Sequence, residues 1–267
     1  MKVYISADIE GVTGVTTWAE ADLGNPACEP ARRQMTAEVA AACEGALAAG
    51  ASEVLVKDAH ATAMNLIPEL LPKGAELIRG WSDHPLSMLQ EIDDSFDALM
   101  LIGYHARARA GASPLEHTFS GRLNEVRLNG QPVSEFTFAA YTAASFDIPA
   151  VLLSGDAGIC AEASAFLPGI ATVPVKRGAG ASTISIHPKL ACERIREAAE
   201  AALAGDPSSC RIALPDRFVL ELGFRRHANA YGAAFYPGAV LADTTTVRYE
   251  HDDLFELLRA IVFMLRG

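Results

Sequence analysis

The stretch KVYISADIEG, Lys2–Gly11, joins a strand-like apolar run to a pair of acids. Its apolar residues, which continue to Ile9, fit a strand that enters a core, yet Asp8 and Glu10 interrupt the run two positions apart. Successive side chains of a strand point to opposite faces, so these two carboxylates share one face if the extended conformation persists. Two like charges this close are unfavourable to bury without a cation between them. The stretch therefore predicts a positive group at the end of the first strand.

Strand-like and helix-like patterns alternate along most of the chain. The later runs typical of strands are SEVLVKDAH (52–60), AELIRG (75–80), DALMLIGYHA (97–106), IPAVLLSGD (148–156) and TVPVK (172–176). The helical patterns are RRQMTAEVAAACEGALAAG (32–50), NLIPELLP (65–72), PLSMLQEI (85–92), EFTFAAYTAASFD (135–147), 157–166 and 188–204. Gly50 is expected to cap the first of these helices. Alternation of this kind predicts right-handed crossovers and a mostly parallel sheet.

Two further features complete the predicted fold. HTFSGRLNEVRLNGQPV (117–133) alternates polar and apolar residues around Asn129-Gly130, a turn pair that favours a β-hairpin. From about residue 211 a smaller portion follows, with strands at FVLELGF (218–224) and TTTVRY (244–249) and a terminal amphipathic helix at DLFELLRAIVFML (253–265).

The composition limits the class of protein. The chain has 267 residues, of which 50% are hydrophobic and 21% charged, enough for a large core. Its net charge of −11 disfavours nucleic acid as a partner. Five cysteines without a C-x-x-C pair suit a reducing compartment and argue against a disulfide framework or a cysteine-built zinc site. No apolar run is long enough for a membrane helix, and a cytoplasmic location is expected.

Potential metal ligands lie at the carboxyl ends of three predicted strands. These are Asp8 and Glu10 after the first strand, Asp58 and His60 after the second, and His105 after the fourth. The ligand crevice of an open α/β sheet lies at this edge, so the side chains converge if the strands are parallel neighbours. Glu135, at the start of a helix after the hairpin, is placed to close the ring.

Carboxylate and imidazole ligands without thiolates suit zinc, with manganese or cobalt as alternatives. Five or more protein ligands exceed what one catalytic zinc usually takes, whereas two metals bridged by a carboxylate use them economically. Paired metals of this kind are common in hydrolases, where they activate water and polarise the scissile group. We expect an α/β metal-binding catalytic domain over 1–210, with the smaller α+β portion, 211–267, packed on it.

Each residue also has a simpler explanation when it is taken alone. Asp8 and Glu10 fit loop acids that cap a helix. A lone His60 or His105 fits a hydrogen-bonded histidine of the core or the rim. Glu135 fits a solvated acid in the first turn of a helix, where it favours the helix dipole. Only the coincidence of these residues at strand ends favours the metal site.

Other known motifs find little support. Lys176-Arg177-Gly178-Ala179-Gly180 lacks the spacing of both phosphate-binding glycine loops. The chain has no G-x-S-x-G elbow, which argues against a serine hydrolase.

The strand-end residues also belong to blocks that resemble a known family. Ser6-Ala7-Asp8-Ile9-Glu10-Gly11 resembles the S-x-D-x-E-G signature of the D-aminopeptidase family, the DppA-type zinc peptidases. The blocks that follow in the same order are Lys57–His60, Gly103–Ala108, Asn129–Glu135, Gly155-Asp156, Val175-Lys176, Pro237-Gly238 and Thr244–Val247. The resemblance therefore covers nearly the whole chain.

The resemblance implies a site and an assembly. The metal ligands that the resemblance implies are Asp8, Glu10, His60, His105 and Glu135, with Asp8 shared between two zinc ions. It also implies a catalytic histidine at His117, in Glu116–Gly121, and a homo-oligomeric ring of ten subunits. Without the resemblance, His117 fits a surface histidine at the edge of a strand.

The residues and the resemblance together predict metal-assisted amide hydrolysis. One metal would lower the pKa of a bound water and the other would polarise the carbonyl. His117 would move a proton to the leaving amine or stabilise the oxyanion. The expected enzyme is an aminopeptidase acting on short peptides with N-terminal D-amino acids, such as D-alanyl peptides. Two alternatives stay open: a dinuclear metal hydrolase of another small amide or ester, and a non-catalytic protein that binds a peptide or an amino acid.

Overall fold

The fold is built from twelve strands and seven α-helices in a computed structural model that describes residues 1–266. The strands are β1 (Lys2–Ala7), β2 (Glu53–Asp58), β3 (Ala75–Ile78), β4 (Ala98–Tyr104), β5 (Leu123–Leu128), β6 (Gln131–Pro132), β7 (Ala150–Asp156), β8 (Ala171–Ala179), β9 (Ser182–Ser185), β10 (Phe218–Phe224), β11 (Val240–Leu241) and β12 (Thr246–His251). The helices are α1 (Trp18–Ala21), α2 (Cys28–Ala48), α3 (Glu135–Ser145), α4 (Ala157–Phe166), α5 (Pro188–Ala204), α6 (His227–Ala233) and α7 (Leu254–Leu265).

The larger sheet has the order β3-β2-β1-β4-β7-β8-β9 and is parallel except for the β8–β9 pair. Its central strands β1, β4 and β7 are buried on both faces, which is why their sequences are nearly continuous apolar runs. Helices α2 and α5 cover one face, and α3 and α4 cover the other. The predicted α/β class with a mostly parallel sheet is confirmed.

A second, antiparallel sheet has the order β11-β12-β10-β5-β6. The hairpin turn forms as predicted, with Asn129 at φ 51° and Gly130 at φ 78°, the left-handed pair of a type I′ turn. Strand β5 pairs with β10, so the hairpin and the C-terminal strands share one sheet with α7 packed on it. The division of the chain into domains 1–210 and 211–267 stays a prediction.

Local structure departs from the sequence patterns in short segments. NLIPELLP and PLSMLQEI form only single 3-10 turns, over Pro68–Leu70 and Ser87–Leu89. In the first, the proline at N1 suits the start of a helix but cannot extend it toward its N-terminus. The patterns did not indicate α1, β9 or α6, elements of four to seven residues that are too short for a clear period. Within residues 1–266, every helix is too short or too polar to cross a bilayer.

Candidate metal centre

The sheet order brings the predicted strand ends together. Strands β2, β1 and β4 are parallel neighbours, so their carboxyl ends meet at one edge. Beyond that edge the chain after β1 crosses the end of β4 in close contact: a Cβ on Gly11 would lie 1.7 Å from the Tyr104 carbonyl oxygen. Gly103 has φ +75°, and a Cβ there would lie 2.2 Å from the Asp8 carbonyl oxygen. Glycine at both positions lets the two segments that carry Asp8, Glu10 and His105 touch.

Asp58 organises the loop that presents His60. The buried carboxylate of Asp58 accepts hydrogen bonds from the backbone N–H groups of Asn65 and Leu66, at 2.6 and 2.7 Å. It also accepts a bond of 3.0 Å from the Asn65 side-chain amide, which in turn donates to the His60 carbonyl oxygen. The sequence listed Asp58 among the potential metal ligands, but its carboxylate is bonded to the loop and belongs to neither ligand group.

The first group of potential ligands is formed by Asp8, Glu10 and His60. His60 Nδ1 lies 3.2 Å from Asp8 Oδ1 and 3.0 Å from Glu10 Oε2. The other ring nitrogen, Nε2, lies 2.7 Å from the carbonyl oxygen of Ala21. The Nε2–H of His60 donates a hydrogen bond to this carbonyl, so Nδ1 faces the carboxylates. Metal-binding histidines are usually oriented by such a bond from the second ring nitrogen.

The second group is formed by Asp8, His105 and Glu135. His105 Nε2 lies 3.6 Å from Asp8 Oδ2 and 3.5 Å from Glu135 Oε2, while its Nδ1 lies 3.0 Å from the Ala106 carbonyl oxygen. Glu135, the first residue of α3, also accepts a bond of 2.6 Å from the Phe119 N–H. Within each group, ligand atoms lie within 4.8 Å of one another. Asp8 belongs to both groups and offers a different oxygen to each.

The five residues are buried, and two of their polar atoms lack partners. Each of the five residues is at most 7% exposed. Glu10 Oε2 and His105 Nε2 make no hydrogen bond; the short Glu10–His60 distance falls outside hydrogen-bond geometry. Native proteins rarely leave such atoms unsatisfied when nothing binds them. Three carboxylates, two anchored imidazoles and two orphaned atoms therefore fit a pair of divalent metals.

Proton affinities within the cluster are strongly perturbed. Burial works against protonation of His60, but Glu10 and Asp8 outweigh it and raise the pKa of His60 to about 12. The pKa of His105 is likewise raised to about 10, against burial, by Glu135 and the other acids. Burial and the charge of Glu10 raise the pKa of Asp8 well above its usual value. The cluster therefore holds protons wherever metals do not replace them.

His117 lies over the two groups, next to the cluster. Its ring stacks on that of His105 at a centroid distance of 4.2 Å, and Trp18 approaches it edge-on at 5.3 Å. His117 Nδ1 lies 2.9 Å from the carbonyl oxygen of Leu115, so Nδ1 carries the proton and Nε2 a lone pair. Nε2 is 3.9 Å from Glu10 Oε1 and 3.8 Å from Glu135 Oε1. Burial and the charge of His105 lower the pKa of His117 and favour its neutral form.

Lys176 is a buried residue of the site, in which the sequence patterns gave it no role. It lies on β8, and its ammonium donates hydrogen bonds to the carbonyl oxygens of Glu10 and Val15, the latter at 2.5 Å. These two bonds fix the loop that follows the first ligand pair. Strand β8 continues past the predicted TVPVK run through Ala179, and Lys176 on it braces the loop that carries Glu10.

A cavity of about 570 Å³ opens over the cluster. Asp8, Glu10, His60, His117 and Glu135 line one part of it, and aromatic and aliphatic side chains line the rest. His84 and Asp83 belong to the same lining. The volume is in the range of small-molecule and short-peptide sites.

Comparisons with known proteins agree with this geometry. A D-aminopeptidase of Bacillus subtilis (strain 168) is 32% identical over 266 residues, which cover 99% of this chain and 96% of the relative. The solved structure of the Zn-dependent D-aminopeptidase DppA from Bacillus subtilis, described as a self-compartmentalizing protease, superposes with a TM-score of 0.94 at 30% identity. That match covers 100% of this chain and 97% of the other. The profile of the D-aminopeptidase family, Peptidase M55, matches residues 1–263, and this chain belongs to that family.

Proposed function

We propose that this protein is a zinc-dependent aminopeptidase that removes N-terminal D-amino acids from short peptides at a dinuclear site. The observation that carries the proposal is the position of Asp8, whose two carboxylate oxygens face two different buried ligand groups. The similarity to a zinc-dependent D-aminopeptidase over the full chain supports both the metal and the substrate class.

Each metal would be held by three protein ligands. Asp8, Glu10 and His60 would bind one ion, and Asp8, His105 and Glu135 would bind the other. Three protein ligands leave open positions on each ion, as catalytic sites require. Zinc suits the nitrogen and oxygen donors, and manganese or cobalt are alternatives. When bound, such a pair supplies activated water and a polarised carbonyl.

His117 would supply the proton transfer. Its Nδ1–H donates to a backbone carbonyl, which holds the ring in one tautomer and aims the Nε2 lone pair at the cluster. A neutral imidazole there can accept a proton during attack and return it to the leaving amine. Stacking against His105 and the edge of Trp18 restricts the ring to this orientation.

A release assay on matched peptides tests the proposal. The protein is stripped with a chelator, and zinc, manganese or cobalt is added back. D-alanyl and L-alanyl peptides of the same length are then compared by the free amine released. We expect turnover of the D-peptides that depends on added metal. Turnover of only another amide or ester would assign the site to a different hydrolase, and binding of peptide without release of amine would identify a binding protein.

We further propose that the subunits form a homo-oligomer, a ring of ten, in the cytoplasm. The self-compartmentalizing relative supports assembly, and short peptides rather than folded proteins suit an enclosed site. Within residues 1–266 all five cysteines are unpaired thiols, which suits a reducing compartment. Light scattering on the purified protein tests the ring: a mass near ten chains is expected, and a stable monomer would contradict it.

A further inference from the structure

Helix α7 has two apolar faces. One face packs on the antiparallel sheet with residues such as Leu254, Leu257 and Met264. The second face is a stripe of aliphatic side chains with the spacing i, i+3, i+4 and i+7: Leu258, Ile261, Val262 and Leu265. This spacing places them on one side of a helix. Leu258 and Ile261 are buried and also belong to the apolar cluster that packs around α7, whereas Val262 and Leu265 are half-buried, and all four line the cavity.

The second stripe lies in the same cavity as the metal cluster. Met88 and Phe119 also line this cavity, together with the ligand groups. An apolar surface kept open beside a buried polar cluster is the arrangement of a ligand site, in which a few polar groups orient the ligand and apolar walls contact the rest. The stripe therefore lines the space in which a substrate of the metal cluster would bind.

The wall offers little to a charged ligand. Outside the cluster, Asp83 and His84 are the only ionisable side chains in the described lining. Asp83 pairs with Arg266 at 2.8 Å, and both residues are largely exposed, which marks this as the rim. His84 Nδ1 accepts a bond from the Leu86 N–H. Lysine and arginine do not occur in the described lining, and Arg266 at the rim is already paired with Asp83, so an acidic substrate side chain would find no free cation there.

The direction of a peptide in the cavity follows from its chemistry. An aminopeptidase holds the free N-terminus and the first carbonyl at the metals, so the peptide has only its carboxyl side left to extend. That side must leave the cluster through the rest of the cavity, toward the rim formed by Asp83 and Arg266. The residue after the scissile bond is therefore the one that passes the stripe on α7.

We propose that the α7 stripe is the subsite for the residue that follows the scissile bond and that it selects uncharged, apolar side chains there. This inference rests on the proposed function and names the substrate class more closely. The contact forms in the ground state and persists in the transition state, so its contribution appears mainly in KM.

The test uses D-alanyl-X amides in which X is glycine, leucine, aspartate or lysine; the amide removes the terminal carboxylate as a variable. With the metal-loaded protein, we expect kcat/KM for leucine to exceed that for glycine by at least about tenfold, the range of hydrophobic pockets. Aspartate should be the poorest substrate. Equal kcat/KM for leucine and glycine would overturn the inference and leave the proposed function intact. No turnover of any D-peptide would overturn both.

Two neighbouring positions on α7 provide the matched variants. Val262→Asp puts a charge on the stripe, and Phe263→Asp puts the same charge one residue later, on a side chain that is 51% exposed and outside the cavity lining. Val262→Asp should bring the leucine-to-glycine ratio close to one, and Phe263→Asp should keep the wild-type ratio. Val262→Thr, nearly equal in shape, gives a smaller drop in the same direction if the aspartate variant fails to fold. An unchanged ratio in a folded Val262 variant would refute the subsite.

Discussion

Replacing His117 by alanine tests whether this residue transfers a proton or binds a metal. His117 Nε2 lies 3.8 to 3.9 Å from the nearest carboxylate oxygens, too far to hold them by hydrogen bonds. Its loss therefore leaves both Asp8-centred groups in place. The variant loses two aromatic contacts, worth roughly 1–3 kcal/mol of folding free energy together. Removal of a positioned acid–base group should lower kcat by ~10²–10⁴-fold, or about 3–5 kcal/mol in activation free energy.

The assay is turnover of a D-alanyl peptide combined with elemental analysis of the same protein. His117→Ala should retain up to two metals per chain and lose activity, whereas His60→Ala should lose metal together with activity because a ligand is gone. One alternative is specific: Glu10, His105 and His117 also lie close enough to hold an ion. Loss of metal in His117→Ala would assign His117 as a ligand, and near wild-type kcat would place it outside the reaction.

Three further results are expected. Zinc binding near pH 7 should release two or more protons per chain. The raised pKa values of His60 and His105, about 12 and about 10, keep both rings protonated until metal displaces the protons, and the raised pKa of Asp8 acts in the same direction. Calorimetry in buffers of different ionisation enthalpy measures the release, and a value near zero would contradict the pKa directions. Lys176→Met should lower the free energy of unfolding in urea by roughly 2–6 kcal/mol, because two buried loop carbonyls lose their hydrogen-bond donor. Arg177→Met is the control, and an equal loss of stability in both variants would argue against the bracing role of Lys176. Gly103→Ala should lower both Tm and metal content, because the position has a left-handed φ and the new Cβ clashes with the Asp8 backbone. Gly111→Ala is the control: its φ is +70° but the space around it is open, so only Tm should fall, and by less. Equal losses in the two variants would show that the close approach of Gly103 to Asp8 is unimportant.

The strand-end residues could be predicted because a general rule connects sequence to position. Parallel strands bring their carboxyl ends to one edge of a sheet, so Asp8, Glu10, His60 and His105 could be grouped from the sequence alone. Glu135 followed because it begins a helix after a recognisable hairpin. The patterns gave no register, however, and so could not indicate which oxygen of Asp8 faces which histidine.

Other parts of the site depend on contacts between distant segments, which local patterns do not encode. Lys176 lies in an ordinary strand sequence, and only the folded chain shows its ammonium at the carbonyls after β1. The pairing of β5 with β10 joins a hairpin to a strand much later in the chain. The sequence of α7 predicts an amphipathic helix, but periodicity alone cannot tell a face that packs on a sheet from one that faces a cavity.

The place of α7 in the chain has a consequence for biosynthesis. All five candidate ligands precede β7, whereas the cavity wall on α7 comes after β10–β12, which complete the sheet on which α7 packs. On the ribosome, the candidate ligands emerge long before the wall that would orient a peptide against them. A nascent chain could thus collect its metals early and still lack a finished substrate site. Peptidase activity would begin only when synthesis has passed α7, so translation itself would delay the enzyme until the fold is complete.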